Sequence, residues 1–139
     1  MYEVLKIALN EYGTKAIPGP NSNEEVLKYY HDLNFTWVDD DDVAWCAGFL
    51  NWCLKTAGKE YLKSLRARDF LTYGTETKKP QLGDIVVLWR ISRDSTWGHA
   101  GLFIRETSNA VYLLGGNQSN SVDIQPYPKT QVLGYRTLI

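Results

Sequence analysis

Two cysteines and two histidines occur in this 139-residue chain, and one of each stands where it could do chemistry. Cys46 lies in the segment 42–54 (DVAWCAGFLNWCL), whose apolar spacing predicts a helix. The thiol falls in the first turn. There it is close to unpaired backbone N–H groups and the positive end of the helix dipole. Both favour the thiolate, the form that attacks carbonyl carbon. His99 heads an apolar run, 97–104 (WGHAGLFI), and Asn117 ends a glycine-rich step within 114–118 (LGGNQ). A thiol, then a base, then a polar residue able to orient that base is a set suited to acyl transfer through a thioester.

A free thiol is only about 3% ionised at pH 7, and a neighbouring imidazolium with a helix N-terminus brings its pKa to about 7 or lower. The acidic run Asp39 to Asp42 opposes this, although such charges are screened over about 8 Å at physiological salt. Asp42 is the expected helix cap. Cys46 also has a plainer reading as a buried core residue. Cys53, two turns deeper, is expected to be structural. The two thiols lie seven residues apart on one helix, roughly 10.5 Å between Cα atoms. A disulfide tolerates about 7 Å at most. No CxxC or HxxxH spacing supports zinc, so neither a metal nor an organic cofactor is expected. His31, near the end of a surface helix, reads as solvent-facing.

The third residue depends on strand register. Residues 99–104 and 111–114 read as a hairpin around 106–109 (ETSN). If Ile104 faces Tyr112, the loop closes around Ser108 and His99 lies opposite Asn117. A slip of one residue brings Gln118 there instead, and both remain open. Trp45, Trp97 and Gln118 are candidates to line a substrate groove; for either tryptophan the alternative is core packing.

The elements that must hold these residues follow from periodicity. Leu5, Ala8, Leu9 and Tyr12 predict a helix that Gly13 stops. Ser22 or Asn23 would cap a second helix over 24–33, with Val26, Leu27 and Tyr30 on one face. The cysteine helix spans about 43–57, apolar nearly all round and therefore buried, with Gly58 as its C′ residue. A short helical piece is expected at 67–71. Strands are expected at 85–89, at the two arms of the hairpin, and at 122–124 and 132–135. Helices first and an antiparallel sheet of about five strands afterwards predict an α+β fold, in one domain over residues 1–139.

A net charge of −1 gives no pull toward nucleic acid or an anionic membrane. Five Trp and nine Tyr suit a dense core or a groove that stacks on sugars and peptides. The N-terminal residues carry no basic segment followed by an apolar run, and no stretch is long enough to span a bilayer. Synthesis in the cytoplasm without a signal peptide, as a monomer, is the expectation.

Together, 45–52 (WCAGFLNW), 83–87 (GDIVV), 98–103 (GHAGLF) and 114–118 (LGGNQ) resemble the CHAP and NlpC/P60 group of bacterial and phage cell-wall peptidases. The resemblance covers about 18–136. It implies a papain-like fold in which the cysteine helix packs on the sheet that carries the histidine. It implies Cys46 as nucleophile, His99 as base and then acid, and Asn117 as the orienting residue. It implies peptidoglycan as substrate, cut at an amide bond of the stem peptide or crossbridge, or at the bond joining the stem to muramic acid. NlpC/P60 proteins usually carry aspartate directly before the cysteine; Trp45 stands there, which favours the CHAP side. A wall hydrolase made in the cytoplasm needs delivery, by a phage lysis system with a holin or by a secretion apparatus. In the second case it would be an antibacterial effector with a cognate immunity protein. The rival readings are a non-catalytic wall- or glycan-binding module and a cysteine acyltransferase on the same fold.

Overall fold

The computed structural model describes residues 2–15, 24–33, 45–95, 97–118 and 121–138, with side chains from residue 27 onward in the second stretch. Three helices come first: α1 (Glu3–Asn10), α2 (Glu24–His31) and α3 (Cys46–Thr56). A 3-10 helix (Ala67–Thr72) leads into β1 (Thr75–Thr77), β2 (Ile85–Trp89), β3 (Gly98–Glu106), β4 (Ala110–Gln118), β5 (Ser121–Pro128) and β6 (Val132–Thr137). The strands form one antiparallel sheet in the order β1-β6-β2-β3-β4-β5. The architecture is α+β, with six strands where about five are expected. The addition is β1, a polar Thr-Glu-Thr edge strand with no apolar signature to reveal it.

The sheet is buried on both faces, which is why β2 reads as the unbroken run IVVLW. Ile85 and Val87, with Ala100, Leu102 and Leu114, pack against α1, α2 and α3. Val86 and Leu88, with Phe103, Val111 and Leu113, face the other way. There they meet Tyr127 of β5 and Val132 and Tyr135 of β6, all from the sheet itself. Strands far apart in the order thus share one cluster, so the sheet curls over the face away from α1, α2 and α3.

Helix α3 is the central element. Every residue from Cys46 to Asn51 is buried, as are Cys53 and Leu54. Each fully buried Leu or Phe contributes roughly 1.5–3 kcal/mol. Asn51, the one polar residue inside, donates to the Ser64 carbonyl at 2.9 Å and accepts from the Leu62 N–H at 2.7 Å, fastening the chain that follows. Gly58 (φ 76°) donates to the Lys55 carbonyl and Lys59 to that of Leu54, which closes the helix as the sequence predicts.

Several expectations need correction. α3 begins at Cys46, not near residue 43, and its N-cap is Trp45, which makes no side-chain cap bond. The cap is therefore not Asp42, and the run Asp39 to Asp42 lies outside the described residues, as do Ser22 and Asn23. In α1 the buried residues are Val4, Leu5 and Ala8, while Leu9 and Tyr12 are exposed. The helix stops early because Gly13 (φ 93°) turns the chain onto β5, donating to the Val122 carbonyl at 2.8 Å. In α2 the buried residues are Tyr29 and Tyr30; the side chain of Val26 lies outside the described ones. The hairpin pairs Leu102 with Leu114 and Phe103 with Leu113 in the expected register, but Tyr112 pairs with Arg105. A bulge at Ile104 accounts for the change.

Candidate active site

The site lies where α3 begins and β3 begins. Cys46 is the first residue of α3, so its backbone N–H has no acceptor within the helix. Its thiol is buried, and burial alone pushes the pKa up. The positive charge and the nearby ring of His99, the Ala100 backbone N–H and the charge of Arg90 together outweigh that and hold the thiol below its ordinary value. Cys53 has neither His99 nor Arg90 beside it. Burial raises its pKa well above the ordinary value, and the Glu11 carboxylate raises it further against the opposing charge of Lys28. The two cysteines, alike in composition, are opposite in chemistry.

His99 is 1% exposed, and its ring is held from two sides. Nε2 lies 2.9 Å from Gln118 Oε1 and 3.4 Å from the Tyr127 hydroxyl, whose ring is 5.3 Å away. Nδ1 is buried and has no hydrogen-bond partner among the described residues. With Nε2 taken by Gln118, Nδ1 is the ring nitrogen left for the thiol of Cys46. The preceding Gly98 allows this packing: a Cβ there would lie 2.8 Å from Arg68 Cγ and 2.9 Å from the Leu88 carbonyl.

The tautomer follows from the surroundings of Gln118. Its Nε2 faces the Asp123 carbonyl at 2.8 Å, the Leu113 carbonyl at 3.1 Å and Asp123 Oδ1 at 3.1 Å. All three are acceptors, so the amide cannot be reversed without setting oxygen against oxygen. Oε1 must therefore face the ring, and Nε2 of His99 must carry a proton. In the neutral ring, Nδ1 is then the basic nitrogen.

The structure brings Gln118, not Asn117, to His99. Between Gly115 and Gln118, β4 carries one residue more than β5: Gly115 pairs with Asp123, and Gln118 with Ser121. Asn117 absorbs the extra step at φ 58°, a left-handed conformation that asparagine tolerates better than most residues. The bulge moves the next side chain onto the face that residue 117 would take in a regular strand. The two glycines before it clear space on opposite faces. A Cβ on Gly115 would lie 2.7 Å from Gln118 Oε1, and one on Gly116 would lie 2.8 Å from Phe49 Cβ and Trp45 Cε3. The segment 115–118 is thus a device with four parts: room for the amide, room for α3, a bulge and a ring acceptor.

Trp45 is 1% exposed and stacks on Tyr29 with ring centroids 6.0 Å apart. It belongs to the core, which corrects its assignment to a substrate groove. Trp97 is 60% exposed, immediately before β3. Its loop is pinned by one guanidinium: Arg68 donates to the carbonyls of Trp97 at 2.8 Å, Arg93 at 2.8 Å and Ser92 at 2.9 Å. His31 is exposed, far along the chain from this cluster. Three contributors escape sequence reasoning. Arg90, Asp123 and Tyr127 sit in ordinary strand or strand-end contexts with no local signal; the pairing of β2 with β3 brings in Arg90, and β5 brings in the other two.

Neither a family model nor a curated protein matches the sequence. Solved structures do match. One is a protein described as similar to lipoprotein, of the NLP/P60 family, from Staphylococcus aureus subsp. aureus Mu50. It superimposes with a TM-score of 0.56 at 18% identity, over 99% of this chain and 41% of its own. The chain thus spans about two-fifths of that protein's length. At this identity the likeness concerns architecture, and the fold is that of the NlpC/P60 type.

Proposed function

We propose that the protein is a cysteine hydrolase that cuts an amide bond in the peptide part of peptidoglycan. The observation that carries this reading is His99 held between two partners, with the lowered thiol of Cys46 on one side and the acceptor Gln118 on the other. The fold shared with an NLP/P60 family protein supports the choice of substrate class. Trp45, where NlpC/P60 proteins usually carry aspartate, favours the CHAP side of the group.

The chemistry follows from the residues. Cys46 passes its proton to His99 Nδ1, and the thiolate attacks the amide carbonyl. The N–H of Cys46 at the start of α3 stabilises the oxyanion. His99, now doubly protonated, gives the Nδ1 proton to the leaving amine while Nε2–H stays on Gln118. Water, activated by the same nitrogen, then opens the thioester and restores the thiol. Trp97, exposed on its pinned loop, would line the groove. Neither step calls on a metal or a cofactor.

Digestion of purified peptidoglycan, followed by mass analysis of the soluble fragments, tests the reading. The expected result is new amino and carboxyl ends at one amide bond of the stem, the crossbridge or the muramic acid junction. Binding without cleavage would favour a wall-binding module, and cleaved glycan strands would contradict the mechanism.

A further inference from the structure

Asp123 touches no reacting atom in this scheme, yet it grips the residue that orients the base at two points. Its backbone carbonyl lies 2.8 Å from Gln118 Nε2, and its carboxylate Oδ1 lies 3.1 Å from the same nitrogen. The second carboxylate oxygen accepts from Gln125 Nε2 at 2.8 Å, which fixes the carboxylate plane. No salt bridge among the described residues involves Asp123. It pairs across the sheet with Gly115, the residue whose missing side chain makes room for the Gln118 amide. A line of contacts therefore runs from Cys46 through His99 and Gln118 to Asp123 and Gln125.

We infer that Asp123 is a positioning residue that, through the Gln118 amide, strengthens the hold on the protonated His99 ring and so favours the Cys46 thiolate. The inference rests on reading Cys46 and His99 as nucleophile and base. A carboxylate that accepts from an amide N–H draws electron density toward the amide oxygen and strengthens the bond that oxygen receives. The receiving bond here comes from Nε2–H of His99, and it is stronger when the ring is an imidazolium. Asp123 thus favours the state in which the Cys46 proton has moved to Nδ1. No proton leaves Nε2, and none reaches Gln118 or Asp123. Among the described residues, the charged or titratable groups facing this pair are Cys46 from α3, Arg90 after β2, and Asp123 and Tyr127 from β5. Arg90 favours the thiolate by its own charge, so the contribution of Asp123 is a separate one.

The test is the pH profile of Cys46 alkylation by iodoacetamide, read on the Cys46 peptide by mass spectrometry. Asp123→Asn keeps the shape and removes the charge. It should move the alkylation midpoint up by about half a unit to one unit and slow the reaction about three- to tenfold at pH 6. In a Gln118→Ala background the same change should have no further effect, because the connecting amide is gone. A profile for Asp123→Asn that superimposes on wild type overturns the proposal, as does an equal shift with and without Gln118. A wild-type profile of an ordinary free thiol, indifferent to His99→Ala, would instead overturn the catalytic reading beneath it.

Discussion

At the scale of the residue, the two thiols give the sharpest contrast. Iodoacetamide should modify Cys46 first in the native protein and leave Cys53 until the fold opens, since His99 and Ala100 favour one thiolate and burial opposes the other. Cys53→Ser should retain activity in whatever fraction folds. The third position is tested by a pair of variants. Gln118→Ala removes the ring acceptor and should lower turnover by about a hundredfold, as loss of positioning does. Asn117→Gly should leave turnover near wild type, because glycine takes a positive φ freely and the bulge survives. The reverse order in a turnover assay would restore Asn117 as the partner of His99. The approach of Cys46 and His99 was legible in the order of residue types and in the apolar runs around them. The identity of the third residue was not. It depends on one left-handed residue, and asparagine in a glycine-rich step reads equally well as strand or turn.

Among the elements, α3 and β4 meet without slack. Phe49 Cβ and Trp45 Cε3 leave no room for a side chain at Gly116. Gly116→Ala should destabilise the protein by about 1–3 kcal/mol, as overpacking of a filled core does, measured by urea unfolding. Because the displaced element carries Cys46, native alkylation of the thiol should slow as well. An unchanged unfolding midpoint would mean that α3 does not press on β4. The helices and β2 to β6 were legible because each combines an apolar pattern with a breaker at its end. β1 was not, being three polar residues recruited by the free edge of β6. The start of α3 was misplaced because apolar spacing continues back to Val43, whereas the helix begins only after Trp45. Periodicity reports which residues can share a face; it does not report where the backbone first turns.

For the whole molecule, the buried acids set a limit on alkaline pH. Burial raises the pKa of Cys53, and it raises those of Tyr29 and Tyr127 above the ordinary phenol value. Such groups stay neutral in the fold at a pH where the unfolded chain has ionised them. Their contribution to stability is whole below about pH 8.5 for the thiol and about pH 10 for the phenols, and it is lost as pH rises beyond. Unfolding free energy measured across that range should fall, and Cys53→Ser should flatten the first part of the decline. Placement in the cell gives a second prediction. Expression with a periplasmic signal should lyse a Gram-negative host, while expression without one should be tolerated. Toxicity confined to the cytoplasm would indicate a different substrate. The central claim is that Cys46 performs the bond cleavage. The direct measurement is the rate at which Cys46→Ala and wild type, at equal folded concentration, release peptide ends from purified peptidoglycan. The account predicts a loss of about a thousandfold or more; a Cys46→Ala protein that cleaves within about tenfold of wild type would contradict it.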